Sequence, residues 1–133
     1  MYLLDTNIVS ALRRPERSPE AAAWLQGRPD EELFISVVTL GEIERGIAMQ
    51  ERRNPGFAAD LRAWLSEVEM LFADRVLPFD AAEAREWGRL WARLGHDGAD
   101  LLIAATAIVG NLTVVTRNAR HFENTGADLL ALA

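Results

Sequence analysis

The chain is 133 residues long and half of them are apolar, which is enough to fill one hydrophobic core and sets the expectation of a single domain spanning 1–133. It has no cysteine and no lysine, its fourteen basic residues all being arginine; that removes disulfides, thiolate metal sites, Schiff-base chemistry and the P-loop lysine. A net charge of −6 argues against a protein that coats nucleic acid nonspecifically, although local arginines can still dock a phosphate.

In chain order, Tyr2-Leu3-Leu4 is a short apolar run followed by Asp5-Thr6-Asn7, residues that start helices, which predicts strand, turn and helix. Arg14-Pro15 ends that helix. Ser18-Pro19-Glu20 opens another, with proline at the first helical position, and Gly27 stops it. Leu33–Val38 is rich in β-branched and aromatic residues and predicts a buried strand. Thr39-Leu40-Gly41-Glu42 then has capping-box spacing, and the helix it opens is expected to reach about Gln50.

Arg52-Arg53-Asn54-Pro55-Gly56 reads as a loop. Beyond it Phe57, Leu61, Trp64, Leu65, Val68, Leu71 and Phe72 form one broad helical stripe. Val76–Phe79 predicts a short strand, and Asp80 a cap for a helix whose Ala84, Trp87, Leu90, Trp91 and Leu94 share a face. Gly95-His96-Asp97-Gly98 breaks that helix. Leu101–Val109 is an apolar helix ended by Gly110-Asn111, and Thr113–Thr116 is the last clear strand. Strands separated by helices predict an α/β fold, a mostly parallel sheet of four or five strands between helical layers.

Four strand–helix junctions carry an acid or amide: Asp5, Glu42, Asp100 and Asn118. Taken singly, each is a helix cap. Together, at the carboxyl ends of parallel strands, they would form the oxygen cage that a hard divalent cation requires, and that cage suits phosphodiester hydrolysis. Thr6 and Thr116 are placed to hydrogen-bond a carboxylate and fix its direction. Arg45, Arg117 and Arg120 flank these positions and are the candidates for phosphate contact, with a helical Glu42–Arg45 ion pair as the competing use of Arg45. His121 reads as a packing residue beside Phe122. Trp64, Trp87 and Trp91, at helical spacing, read as core or as a subunit interface.

Leu3–Asn7, Ser36–Ile43, Asp100–Ala107 and Val115–Asn118 together resemble the PIN-domain family, specifically the VapC and FitB-like toxins of bacterial toxin–antitoxin pairs. The resemblance implies a PIN-like α/β/α sandwich and an endoribonuclease dependent on Mg²⁺ or Mn²⁺. Asp5, Glu42 and Asp100 would be its metal ligands. It also implies a homodimer inhibited by a cognate VapB-like antitoxin, with RNA as substrate. Asn118 departs from the family's frequent aspartate, so the fourth position contributes no charge. A second reading follows from it: a binding module that has lost turnover and acts through its antitoxin. A phospho-accepting signalling domain is disfavoured by the absence of lysine. The longest apolar run is far shorter than the roughly 20 residues a membrane helix needs, so a cytoplasmic protein without membrane attachment is expected.

Overall fold

A computed structural model describes residues 1–133. Its centre is strand β1 (Tyr2–Leu4), whose Leu3 and Leu4 are fully buried. Because successive side chains on a strand point to opposite faces, Leu3 enters one core and Leu4 the other. The other strands are β2 (Leu33–Ser36), β3 (Val76–Leu77), β4 (Thr113–Thr116) and β5 (Asp128–Ala131). All five are parallel, in the order β3-β2-β1-β4-β5, with Leu3 opposite Phe34 and Leu4 opposite Val115.

Parallel neighbours must be joined by crossovers, and helices supply them. Helices α1 (Thr6–Arg13), α2 (Pro19–Gln26), α3 (Val37–Arg53) and α4 (Pro55–Leu71) contribute to the core on the Leu4 face, through residues such as Ile8, Ile47 and Val68. Helices α5 (Ala81–Leu94) and α6 (Ala99–Gly110) cover the Leu3 face through Leu90, Leu101 and Ile103. The result is an α/β/α sandwich. No helix is long and apolar enough to cross a membrane.

Several local expectations are corrected. Strand β2 stops at Ser36, not Val38, because the buried Ser36 hydroxyl accepts from Val38 N at 3.0 Å and caps α3. Thr39 therefore lies inside the helix, and no Thr39–Glu42 capping box exists. Helix α3 continues to Arg53, and the supposed loop is a single break at Asn54, whose side chain caps α4 ahead of Pro55. A fifth strand, β5, pairs with β4 through Val114–Leu129 and Val115–Leu130. Its short Asp-Leu-Leu-Ala run is too weak a pattern to stand out in sequence. The α6 stop is as the sequence suggests, with Asn111 in the left-handed region at φ 54°. Trp64 and Trp87 pack against the two cores, whereas Trp91 stacks on Trp87 and stays 45% exposed.

Candidate active site

In the strand order 3-2-1-4-5 the connectivity reverses direction at β1, and open α/β sheets place their sites in the crevice at the carboxyl ends there. Asp5 follows β1 directly and caps α1, its Oδ1 accepting from Thr6 N at 2.8 Å. Its other oxygen, Oδ2, accepts from Thr116 Oγ1 at 2.8 Å, at the end of the adjacent strand β4. Thr116 Oγ1 in turn accepts from Asn118 N at 2.9 Å. The Asp5 carboxylate is thus locked between two strands.

Glu42 joins from α3. Its Oε1 accepts from Thr6 Oγ1 at 2.7 Å, and the Thr6 and Thr39 hydroxyls are 3.0 Å apart. Thr6 has one hydroxyl proton, which goes to Glu42, so Thr39 is the donor between the two threonines. One residue, Thr6, therefore ties the carboxylates of positions 5 and 42 to each other through its N–H and its O–H.

Asp100 lies in the first turn of α6, where Gly98 is the N-cap and no side chain makes a capping bond. Asp100 is not a cap. Its charge still benefits from the helix N-terminus. Its Oδ2 is 3.1 Å from Nδ1 of His121, and His121 N donates to Asn118 O at 3.0 Å. His121 is exposed on the 3-10 turn Ala119–Phe122 and faces Asp100, correcting its reading as a packing residue; Phe122 alone is buried there. Sequence reasoning gave His121 a packing role and Thr39 a capping role, and so missed their contacts with Asp100 and Thr6. Their spacing, His121 three residues past Asn118 and Thr39 three before Glu42, fits the packing and capping readings equally well.

Electrostatics link the three acids. Burial raises the pKa of Asp5 most, and the negative charges of Asp100 and Glu42 push it the same way, against the hydrogen bonds from Thr116 and Thr6 that favour the ionised form. No cationic side chain is ion-paired with Asp5 or Glu42. A buried carboxylate pressed by two others and left without a cation is a donor set whose chemistry matches a hard divalent ion. Even so, no three acidic or histidine side chains stand together in an arrangement that could hold one metal ion. The acids share an edge without forming a ready coordination shell.

Of the candidate phosphate contacts, Arg117 lies beside the site, its Nη1 donating to Ser18 Oγ at 2.7 Å and its N–H to Asn7 Oδ1 at 3.3 Å. Arg120 is exposed on the 3-10 turn and Arg45 is exposed on α3; neither is in an ion pair, so the Glu42–Arg45 pair is absent. Asn118 is exposed beside Asn7 and Arg117.

Such a parallel sheet sandwiched by helices, with acids gathered at the β1 edge, defines the class of α/β proteins with a site at the strand reversal. Residues 2–127 match the PIN domain family, and the chain belongs to it. It is related to the VapC and FitB-like toxins of type II toxin–antitoxin systems. It is 34% identical to a VapC ribonuclease of Sinorhizobium fredii, over 98% of this chain and 96% of the relative. It is also 34% identical to the toxin FitB of Neisseria gonorrhoeae, over 92% of this chain and 91% of that protein. Among solved structures, FitAcB from Neisseria gonorrhoeae superposes with a TM-score of 0.82 at 31% identity, covering 98% of this chain and 96% of the other.

Proposed function

We propose that this protein is a toxin-type endoribonuclease that hydrolyses phosphodiester bonds in structured RNA with Mg²⁺, or Mn²⁺, and is silenced by a cognate VapB-like antitoxin. The observation that carries the proposal is the buried Asp5 carboxylate, pinned by Thr6 and Thr116, with the charges of Glu42 and Asp100 directed at it. Its similarity to a VapC ribonuclease supports the same reading.

Asp5, Glu42 and Asp100 would hold the ion, and Asn118 would support them through its carbonyl oxygen. Such an ion, when bound, supplies charge neutralisation for the oxyanions of an in-line phosphoryl displacement. The chain's own residues do the rest. Thr6 and Thr116 fix the direction of the Asp5 oxygens, and Thr39 fixes Thr6. Arg117, Arg120 and Arg45 are the phosphate contacts, and the low exposure of Asp5 limits competing water around its carboxylate. The single domain spans 1–133, resides in the cytoplasm and pairs as a homodimer.

A second reading, a PIN-like binding module without turnover, is favoured by the amide at position 118 and by the unassembled coordination set. One comparison separates the two. Wild type and Asp5→Asn are incubated with defined transfer and ribosomal RNAs in Mg²⁺, Mn²⁺ or chelator, beside calorimetric metal titration. Cleavage by wild type alone, abolished by chelator, is the expected result. Intact RNA in every lane, with the wild type folded, overturns the nuclease reading.

A further inference from the structure

A groove of about 440 Å³ opens beside the acidic edge, with Thr6 and Glu42 at one end and the α3–α4 pair along its wall. Its charge is opposite to that of the protein as a whole. In a chain of net charge −6, four arginines line this one groove, Arg13, Arg14, Arg17 and Arg117, and Glu42 is its single acidic lining residue. None of the four is in an ion pair. Arg13 has local uses, over the Phe57 ring at 5.2 Å and in the last turn of α1, where a cation complements the helix dipole. Arg14 and Arg17 have none: no side-chain hydrogen bond holds either of them. The guanidinium charges of Arg14 and Arg17 are thus left without a protein counter-charge, which an anionic occupant of the groove would supply.

We infer that this groove seats the phosphodiester backbone of an RNA strand on one side of the bond to be cut, with Arg13, Arg14, Arg17 and Arg117 as its phosphate contacts. The assignment of RNA as occupant rests on the ribonuclease reading. A strand cut at the Asp5–Glu42 edge must lead away from it, and here a row of forked donors starts at that edge and continues past the end of α1. Arginine forks bind two phosphate oxygens each, and a strand carries one phosphate per nucleotide, so a run of cations suits a polyanion lying along the groove.

The test uses an Asp5→Asn background with chelator, so that binding is read without cleavage, and a short unstructured fluorescein-labelled oligoribonucleotide as probe. Anisotropy gives Kd between about 50 and 200 mM KCl, and the slope of log Kd against log salt counts phosphate contacts at roughly 0.7 each for single strands. Arg14→Ser with Arg17→Ser should lower that slope by about 1.4. Arg85→Ser with Arg89→Ser on α5, across the sheet, changes net charge equally and should leave it unaltered. Arg14→Lys with Arg17→Lys guards against misfolding and should retain most of the slope. Equal slopes for the two serine pairs overturn the inference, as does loss of slope in the lysine pair. So does a serine pair that keeps RNA binding but releases an acidic antitoxin peptide, which would make the groove a protein-docking site. Wild-type protein that binds this probe through Arg14 and Arg17 yet cuts no RNA would sink the nuclease reading alone.

Discussion

Asp5 shows how one residue holds both a structural and a chemical role. As N-cap it satisfies Thr6 N, and asparagine caps a helix as well as aspartate does. Asp5→Asn therefore removes the charge and turns the Thr116 contact round, the amide Nδ2 donating to Thr116 Oγ1 where the carboxylate accepted from it. Burial, Asp100 and Glu42 hold the Asp5 pKa above its ordinary value, so the metal-free folded chain binds that proton more tightly than the unfolded chain. Its contribution to stability is then fully present below about pH 3.9, the unfolded value, and is lost as pH rises through the folded value. Metal-free Asp5→Asn should accordingly melt higher than wild type at neutral pH, with the difference shrinking toward pH 4. Thermal melts in chelator across that range check this, and a variant that melts lower than wild type at pH 7 would mean that the carboxylate is stabilising as it stands. The acid and amide residues at positions 5, 42, 100 and 118 were legible in sequence as residue types, although Glu42 lies within α3 and not at a strand end. The partners of those side chains were not. Thr39 and His121 reach the site only through the turn of α3 and of a 3-10 segment, and nothing in their local spacing marks them as neighbours of Glu42 and Asp100.

At the scale of elements, the β2–α3 junction positions the acidic edge. Ser36 ends the strand and caps the helix in one step, with its side chain fully buried. That sets the first turn of α3 early enough for Thr39 and Glu42 to fall on the side facing Thr6. Ser36→Ala should cost about 1 kcal/mol of stability, the usual value of a lost N-cap, measured by urea denaturation. A cost near zero would indicate that Val38 N finds another acceptor. The helix stripes and the helix stops at Gly27, Gly95 and Asn111 were readable, because period and backbone conformation are local properties. The α3 cap was misplaced by three residues, since Ser36 and Thr39 are both competent caps and only the register of β2 on β1 selects between them. Strand β5 was not secure for a related reason: four residues with two leucines become a strand only when β4 offers an edge.

The whole molecule is a sheet with an apolar layer on each face, and β1 feeds both. Ile47 lies fully buried in the α1–α4 layer and Ile103 in the α6 layer. If residues 1–133 fold as one domain, Ile47→Val and Ile103→Val should each lower stability by roughly 0.5–1.5 kcal/mol within a single urea transition. Their effects should add to within about 0.5 kcal/mol, because the sheet separates them. Two resolved transitions, each moved by only one substitution, would show that the layers fold independently. The groove beside the acidic edge also belongs to this scale, since Arg13–Arg17 and Arg117 meet there from opposite ends of the chain.

By itself the sequence determined the α/β alternation, the helical stripes, the absence of thiol and lysine chemistry, and the four acid or amide positions, because each depends on residue type and short-range period. Tertiary structure alone decided that β1 lies at the centre of a five-stranded parallel sheet, and that Asp5 is held between Thr6 and Thr116. It also decided that Asp100 faces His121, and that four arginines from distant segments share one groove. Those are contacts between residues up to 111 positions apart. They arise from burying two apolar faces of one sheet at once, a constraint that acts on the whole chain and leaves no mark on any short stretch of it.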